Sequence, residues 1–222
     1  MEGVVGLLER LYRSALGRPM SRLARAATAL LKPRMIYGYD DPATGNFRKY
    51  CRMSSSVTVM NPRGLSVEDH VWVWHHTILD ATEGITIHEG AQIGAWVGVF
   101  THGSEASVRL LGPSFVHIPN HERRGYTRGP VSIGAYSFVG AGSVILPGVT
   151  VGRGVLIAAM SLVTRDVPDY AIVRGQPAKV VGDTRDFDAK YFAEHDFSDT
   201  YYDPEALAHI EARREAPTKG TP

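Results

Sequence analysis

An aliphatic residue returns at every sixth position through residues 133–164: Ile133, Val139, Ile145, Val151, Ile157 and Val163. A period of six matches neither the 3.6 of an α-helix nor the plain alternation of a half-buried strand. The fifth position of each hexad is small or β-branched, running Ser137, Ser143, Val149, Val155, Ser161, Val167. The second runs Gly134, Gly140, Leu146, Gly152, Ala158, Thr164. A short strand that points its aliphatic inward, followed by a corner where a small residue lets the backbone turn, makes a flat-sided coil that stacks on its neighbours. The pattern therefore predicts a parallel β-helix. Pro147-Gly148 suits the central pair of a type II turn at one such corner.

The same phase is present upstream, where Val67, Val73, Leu79 and Ile85 keep it and Ile87, Ile93 and Val99 resume it after a slip of two. Between Val99 and Ile133 it vanishes, and that stretch holds Pro113, Pro119, Pro130, Gly103, Gly112, Gly125 and Gly129. It reads as a loop thrown out from the coils at about 103–130, and long loops in compact domains carry function or are disordered. Residues 1–36 show helical spacing in two pieces, Leu7/Leu8/Leu11/Ala15 and Leu23/Ala27/Leu30, broken by Gly17 and Pro19. The β-helix is expected over 37–182 and a partly helical tail over 183–222. Charge is unevenly spread, with seven Arg/Lys against two Glu in residues 1–34, and ten Asp/Glu against five Arg/Lys in 183–222. The basic end could touch an anionic membrane surface. No apolar run approaches the roughly 20 residues that span a bilayer, and a lone Cys51 forms no internal disulfide. A cytoplasmic protein without a nucleic-acid partner is expected.

The ladder, with "ILPGVTVG" at 145–152, "VTRDVP" at 163–168 and "GQPAKV" at 175–180, resembles the hexapeptide-repeat acyltransferases over roughly residues 65–181. The likeness is strongest to the branch of sugar and xenobiotic O/N-acetyltransferases that includes galactoside acetyltransferase and enzymes of surface-polysaccharide synthesis. It implies an all-β fold, a left-handed parallel β-helix with an extruded loop and short helical N- and C-terminal appendages. It also implies a homotrimer with acetyl-CoA as acyl donor in the groove between subunits, a sugar-type acceptor, and no required metal.

By that resemblance His102, at the mouth of the loop, is the catalytic base. A neutral imidazole can take the proton of an acceptor hydroxyl or amine as it attacks a thioester. Glu83, Asp80 or Glu105 could orient it. His75 and His76 could line the acceptor pocket, and Arg123, with Arg124, His117 and His121, could bind an anionic acceptor. Lys179 and Arg165 are expected near the CoA phosphates, and Phe138, Ala141, Gly142 and Ala159 along the pantetheine arm. Two positions depart from the family pattern: Gly103 follows the histidine where galactoside-type members have Pro, and Phe138 stands in place of Trp. Two other classes share the repeat. A γ-class carbonic anhydrase-like zinc enzyme would use histidines such as His117 and His121, and a scaffold would use none. Trp72, Trp74 and Trp96 are expected to pack, and Cys51 to be inert.

Overall fold

The structure, a computed structural model, describes Pro19, Leu23 and residues 32–215. The chain divides into a unit Met1–Arg34 and a unit Met35–Pro222. Of the N-terminal segment expected over 1–36, the structure describes Pro19 and Leu23, both helical, and residues 32–36, of which Met35 and Ile36 are strand rather than helix; the rest, with the membrane contact expected of it, lies outside the described residues.

The second unit is a stack of three-sided coils. One face carries Trp72–Val73, Gln92–Ile93, Phe138–Val139 and Leu156–Ile157 in parallel. A second carries Thr58–Met60, Ile78–Asp80, Gly98–Phe100, Val144–Ile145 and Leu162–Val163. The third carries Leu65–Val67, Ile85–Ile87, Val131–Ile133 and Thr150–Val151. The six aliphatics of the repeat are each at most 1% exposed and point down the axis. Burying each contributes about 1.5–3 kcal/mol, which is why one coil alone is not viable and several must stack. With the hexapeptide repeat, this is a left-handed β-helix.

The small residues follow from how closely the coils approach. A Cβ on Gly134 would run into the backbone of Gly152, and one on Gly140 into the backbone of Ala159. Ser137 and Ser143 are buried, and each hydroxyl donates to a carbonyl of the next coil, Gly152 O at 2.7 Å and Ala158 O at 3.1 Å. Gly148 has a φ of 80°, which the type II turn demands.

The two-residue slip has a definite location. Ile85 and Ile87 sit in one strand, both buried, and pair with Leu65 and Val67 of the coil below. The extra residues are at the corner before them, Ala81–Gly84, stacked on the equivalent corner Asn61–Gly64. There the Asn61 amide donates to Ala81 O, and a Cβ on Gly64 would collide with the same carbonyl. In the next coil this corner is replaced by the whole segment from Thr101 to Pro130, after which Ile133 pairs with Ile87. The loop has structure of its own: a helical turn Ser107–Leu111, then 3₁₀ turns Gly112–His117 and Asn120–Glu122.

Antiparallel hairpins finish both ends of the first face, Met35–Asp40 with Phe47–Ser54 and Ala171–Gly175 with Ala178–Asp183. Asp183 then caps the helix Thr184–Phe192, accepting from Arg185 N. A second helix, Pro204–Glu215, starts on Asp203. That carboxylate accepts from Glu205 N at 2.9 Å while Tyr170 Oη–H donates to it at 2.7 Å, tying the tail to the corner between the third and first faces. Among the described residues no helix is long and apolar enough to cross a membrane.

Candidate active site

His102 lies where the chain leaves the second face. Residues 102–103 form a two-residue antiparallel ladder with 127–128, His102 opposite Arg128 and Gly103 opposite Thr127. The loop's two ends therefore close on each other directly over the corner. Below it, Thr101 Oγ1–H donates to Asp80 O at 2.7 Å and accepts from Glu83 N at 3.0 Å, stitching the loop mouth to the preceding coil.

The carboxylate that meets the imidazole is Asp80. Its Oδ2 is 2.6 Å from His102 Nδ1, with Asp80 fully buried and the histidine side chain 25% exposed. Neither atom has a hydrogen-bond partner among the described residues, so the buried acid and the imidazole are left to each other as a close contact. Asp80 is itself held by its other oxygen, Oδ1, which accepts from Thr82 Oγ1 at 2.6 Å and Thr82 N at 3.2 Å. Tyr126 stacks on the other side of the imidazole, centroids 5.5 Å apart and planes 21° apart. Nε2 is left as the ring nitrogen free to exchange a proton with a ligand.

Glu83, one of three carboxylates that could have oriented His102, does something else: it pairs with Arg128 at 3.5 Å. Its place two residues past Thr101's coil partner turns it toward the returning end of the loop rather than toward the imidazole. Glu105 packs over Gly103, its carboxylate occupying the space a Cβ there would enter.

Arg123 is already engaged. Its Nε–H donates to Ile118 O at 2.9 Å and Phe115 O at 3.2 Å, and the guanidinium lies 3.9 Å above the Phe115 ring. It braces the loop instead of facing a ligand. His117 and His121 are exposed, His121 beside Glu122 at 3.3 Å. Among the described residues no three His, Cys, Asp or Glu side chains gather as a metal site.

His75 and His76 occupy the corner between the first and second faces, across the second face from His102. His75 Nδ1 shares a 2.6 Å hydrogen bond with Ser54 Oγ, and His76 stacks on Trp96 at 6.1 Å. The tryptophans pack against neighbouring rings, Trp74 on Trp72 at 5.8 Å and Trp96 on His76, but at the surface, Trp96 and Trp74 being 66% and 41% exposed. Trp96 has a φ of 56°, and as a corner residue its side chain must point outward. Cys51 is buried, its thiol donating to Glu68 O, and burial pushes its pKa up.

Ala141 and Gly142 share that corner two coils on and Ala159 three coils on, tied by Met160 N donating to Ala141 O at 2.9 Å. Gly142 has a φ of 70° and lies against Met160, so the stack itself explains its size. Phe138 is exposed on the first face. Lys179, opposite Arg174 in the closing hairpin, and Arg165, at the far edge of the second face, are exposed.

Tyr126 and Arg128 were not singled out by their types. A signal existed in the spacing: a loop that leaves after Val99 and rejoins at Val131 must bring together positions equally far from its two ends, such as 102 and 128.

Stacked hexad coils, with a loop extruded at one corner over a buried acid and histidine, define a left-handed β-helix with one candidate site. Residues 130–165, most of the ladder, match the family model for the bacterial transferase hexapeptide, six repeats. A putative acetyltransferase of Staphylococcus aureus strain Mu50 is 44% identical over 62 residues, 28% of this chain and 31% of its own. Serine acetyltransferase 4 of Arabidopsis thaliana is 29% identical over 164 residues, 74% of this chain and 42% of its own. A putative acetyltransferase of Saccharomyces cerevisiae is 28% identical over 134 residues, 60% of this chain and 58% of its own. The chain thus spans from under a third to under three-fifths of these curated relatives. Among solved structures, a mutant of AntD, an N-acyltransferase from Bacillus cereus, superposes with a TM-score of 0.50 at 22% identity, over 66% of this chain and 90% of that one. This likeness is one of fold.

Proposed function

We propose that this chain is an acetyl-CoA-dependent acetyltransferase acting on a hydroxyl or amine of a sugar or sugar-containing acceptor, with His102 as general base. The observation that carries the reading is the His102–Asp80 contact of 2.6 Å, set at the mouth of the loop. The acetyltransferase names of the sequence relatives support the acyl group.

The acceptor heteroatom attacks the thioester carbonyl carbon and gives its proton to His102 Nε2. Asp80, holding Nδ1–H, keeps Nε2 unprotonated beforehand and stabilises the imidazolium formed. The carbon–sulfur bond then breaks, and the imidazolium returns its proton to the departing thiolate. Tyr126 fixes the ring plane and covers one side of it. Lys179 and Arg165, for which the described residues show no ion pair, suit the phosphates of the donor. The assembly is a homotrimer in this reading, for which light scattering should give three chain masses, and the setting is surface glycoconjugate synthesis in the cytoplasm.

The test is to offer acetyl-CoA with sugars, amino sugars and nucleotide sugars and to follow free thiol. One acceptor class should release thiol, and His102→Ala should lower kcat about 10²–10⁴-fold, the usual worth of general-base catalysis, with acetyl-CoA binding retained. A loss under about tenfold would return His102 to an ordinary loop residue.

A further inference from the structure

The tail offers a second site, on the corner between the third and first faces. A cavity of about 410 Å³ opens between the coil residue Tyr136 and the segment 188–202. Its walls are Tyr136, Tyr191, Phe192, Phe197, Tyr201 and Tyr202, and among the described residues its one charged lining group is Asp188. Among the described residues no Lys, Arg or His lines it. The rings stand as walls, not as one stack: Phe192 meets Tyr201 at 72° and Phe197 at 70°, while Tyr202 lies 4.7 Å from Tyr136 and 5.0 Å from Tyr201. Tyr201 Oη–H donates to Asp188 Oδ2 at 2.6 Å, which leaves Oδ1 for a ligand.

We propose that this pocket binds an organic ammonium ion, of the alkylated or quaternary type, held against the tyrosine faces with Asp188 as its counter-ion. The face of an aromatic ring is negative and attracts a cation, most strongly where water is excluded. A cluster serving only as packing would close at interior density and exclude the carboxylate. Instead burial, with help from Asp183, pushes the Asp188 carboxyl up in spite of the Tyr201 hydrogen bond, the state of an acid short of a cation. The surroundings favour a cation too, since residues 183–215 carry ten Asp/Glu against four Lys/Arg. The site goes beyond the acetyl-transfer reading and does not depend on it.

Calorimetry on the full chain would compare tetramethylammonium and choline with 3,3-dimethyl-1-butanol, the uncharged analogue of choline. The cations should saturate in the millimolar range and bind about tenfold more tightly than the neutral analogue, within the span of cation–π energies. Asp188→Asn should weaken the cations about tenfold and leave the neutral analogue unchanged. Tyr191 is half exposed and outside the acetyl-transfer site, so Tyr191→Leu should keep the fold and still weaken cation binding several-fold, which serves if Asp188→Asn does not fold. Equal affinity for the neutral analogue, no saturation by about 50 mM, or cation binding untouched by Tyr191→Leu would each overturn the assignment. None of these readouts requires acetyl transfer, so failure here and failure of the His102 reading are separable.

Discussion

Replacing Asp80 by Asn or by Ala should give losses in an order opposite to the severity of the truncation. In Asp80→Asn the amide oxygen can keep the two hydrogen bonds from Thr82. The amide nitrogen then takes the position 2.6 Å from His102 Nδ1. That NH₂ donates where the carboxylate accepted. Nδ1 must become the acceptor, the ring proton moves to Nε2, and the nitrogen facing the substrate can no longer take one. General-base catalysis should be lost almost whole, about 10²–10⁴-fold in kcat. In Asp80→Ala the tautomer is free, and what His102 loses is its close contact with the carboxylate, taken as comparable to a hydrogen bond to a charged group at about 1.5–3 kcal/mol. At 1.36 kcal/mol per decade this is about 10–150-fold. Thiol release under saturating acetyl-CoA measures both, with the KM for acetyl-CoA expected to hold. If the Asn variant is as active as the Ala variant or more so, the tautomer argument is wrong. If both fall less than about threefold, well under one hydrogen bond to a charged group, Asp80 does not act through His102.

Lys179→Ala should raise the KM for acetyl-CoA more than it lowers kcat, and the difference should shrink at high salt, as screened surface charges require; an unchanged KM in the Lys179→Ala/Arg165→Ala pair returns both to plain surface. Gly140→Ala places a methyl against the backbone of Ala159 and should destabilise by about 1–3 kcal/mol, read by denaturant melts, whereas a neutral result would mean the coils can part there. Asp203 is pulled below the usual carboxylate value: burial alone would raise it, but the hydrogen bonds from Tyr170, Glu205 and Ala206 and the charge of Arg153 outweigh that. A lowered folded pKa gives stability present above the unfolded value of 3.8 and lost as pH falls below it. Asp203→Asn should therefore flatten the acid limb of a stability-against-pH curve, and an unaltered slope would assign that limb to other groups.

The coils were legible because their cause is periodic. Ile133 through Val163 are buried for the reason their spacing implied, and the loop showed as the interval where that spacing stops. The catalytic candidate was legible as a position, a histidine at the loop mouth. Its partner was not. Asp80 and Glu83 are both acids at one corner, and which of them meets the imidazole depends on the two extra residues of that corner. They bury Asp80 at a strand end and swing Glu83 toward Arg128. A repeat pattern counts residues along an axis and says nothing of how a corner folds. The ring wall around Asp188 was invisible for another reason, since Tyr136 and Tyr202 meet only after the tail has folded back on Asp203.

The corner that holds His102 has consequences for how such a chain can change. It spends four residues at Asn61–Gly64, four again at Ala81–Gly84, and thirty from Thr101 to Pro130. On either side of it the ladders resume in step, Ile85 beneath Val131 and Ile87 beneath Ile133. Length at that corner is thus uncoupled from the register of every strand. Insertions and deletions there leave the scaffold's inward side chains where they were, whereas one residue added within a strand would turn a whole face inside out. If the chain transfers acetyl groups as proposed, new acceptor specificities can be tried in the Ser104–Gly125 segment by splicing, with the acid–histidine pair and Tyr126 anchored in a frame that keeps its register through the exchange.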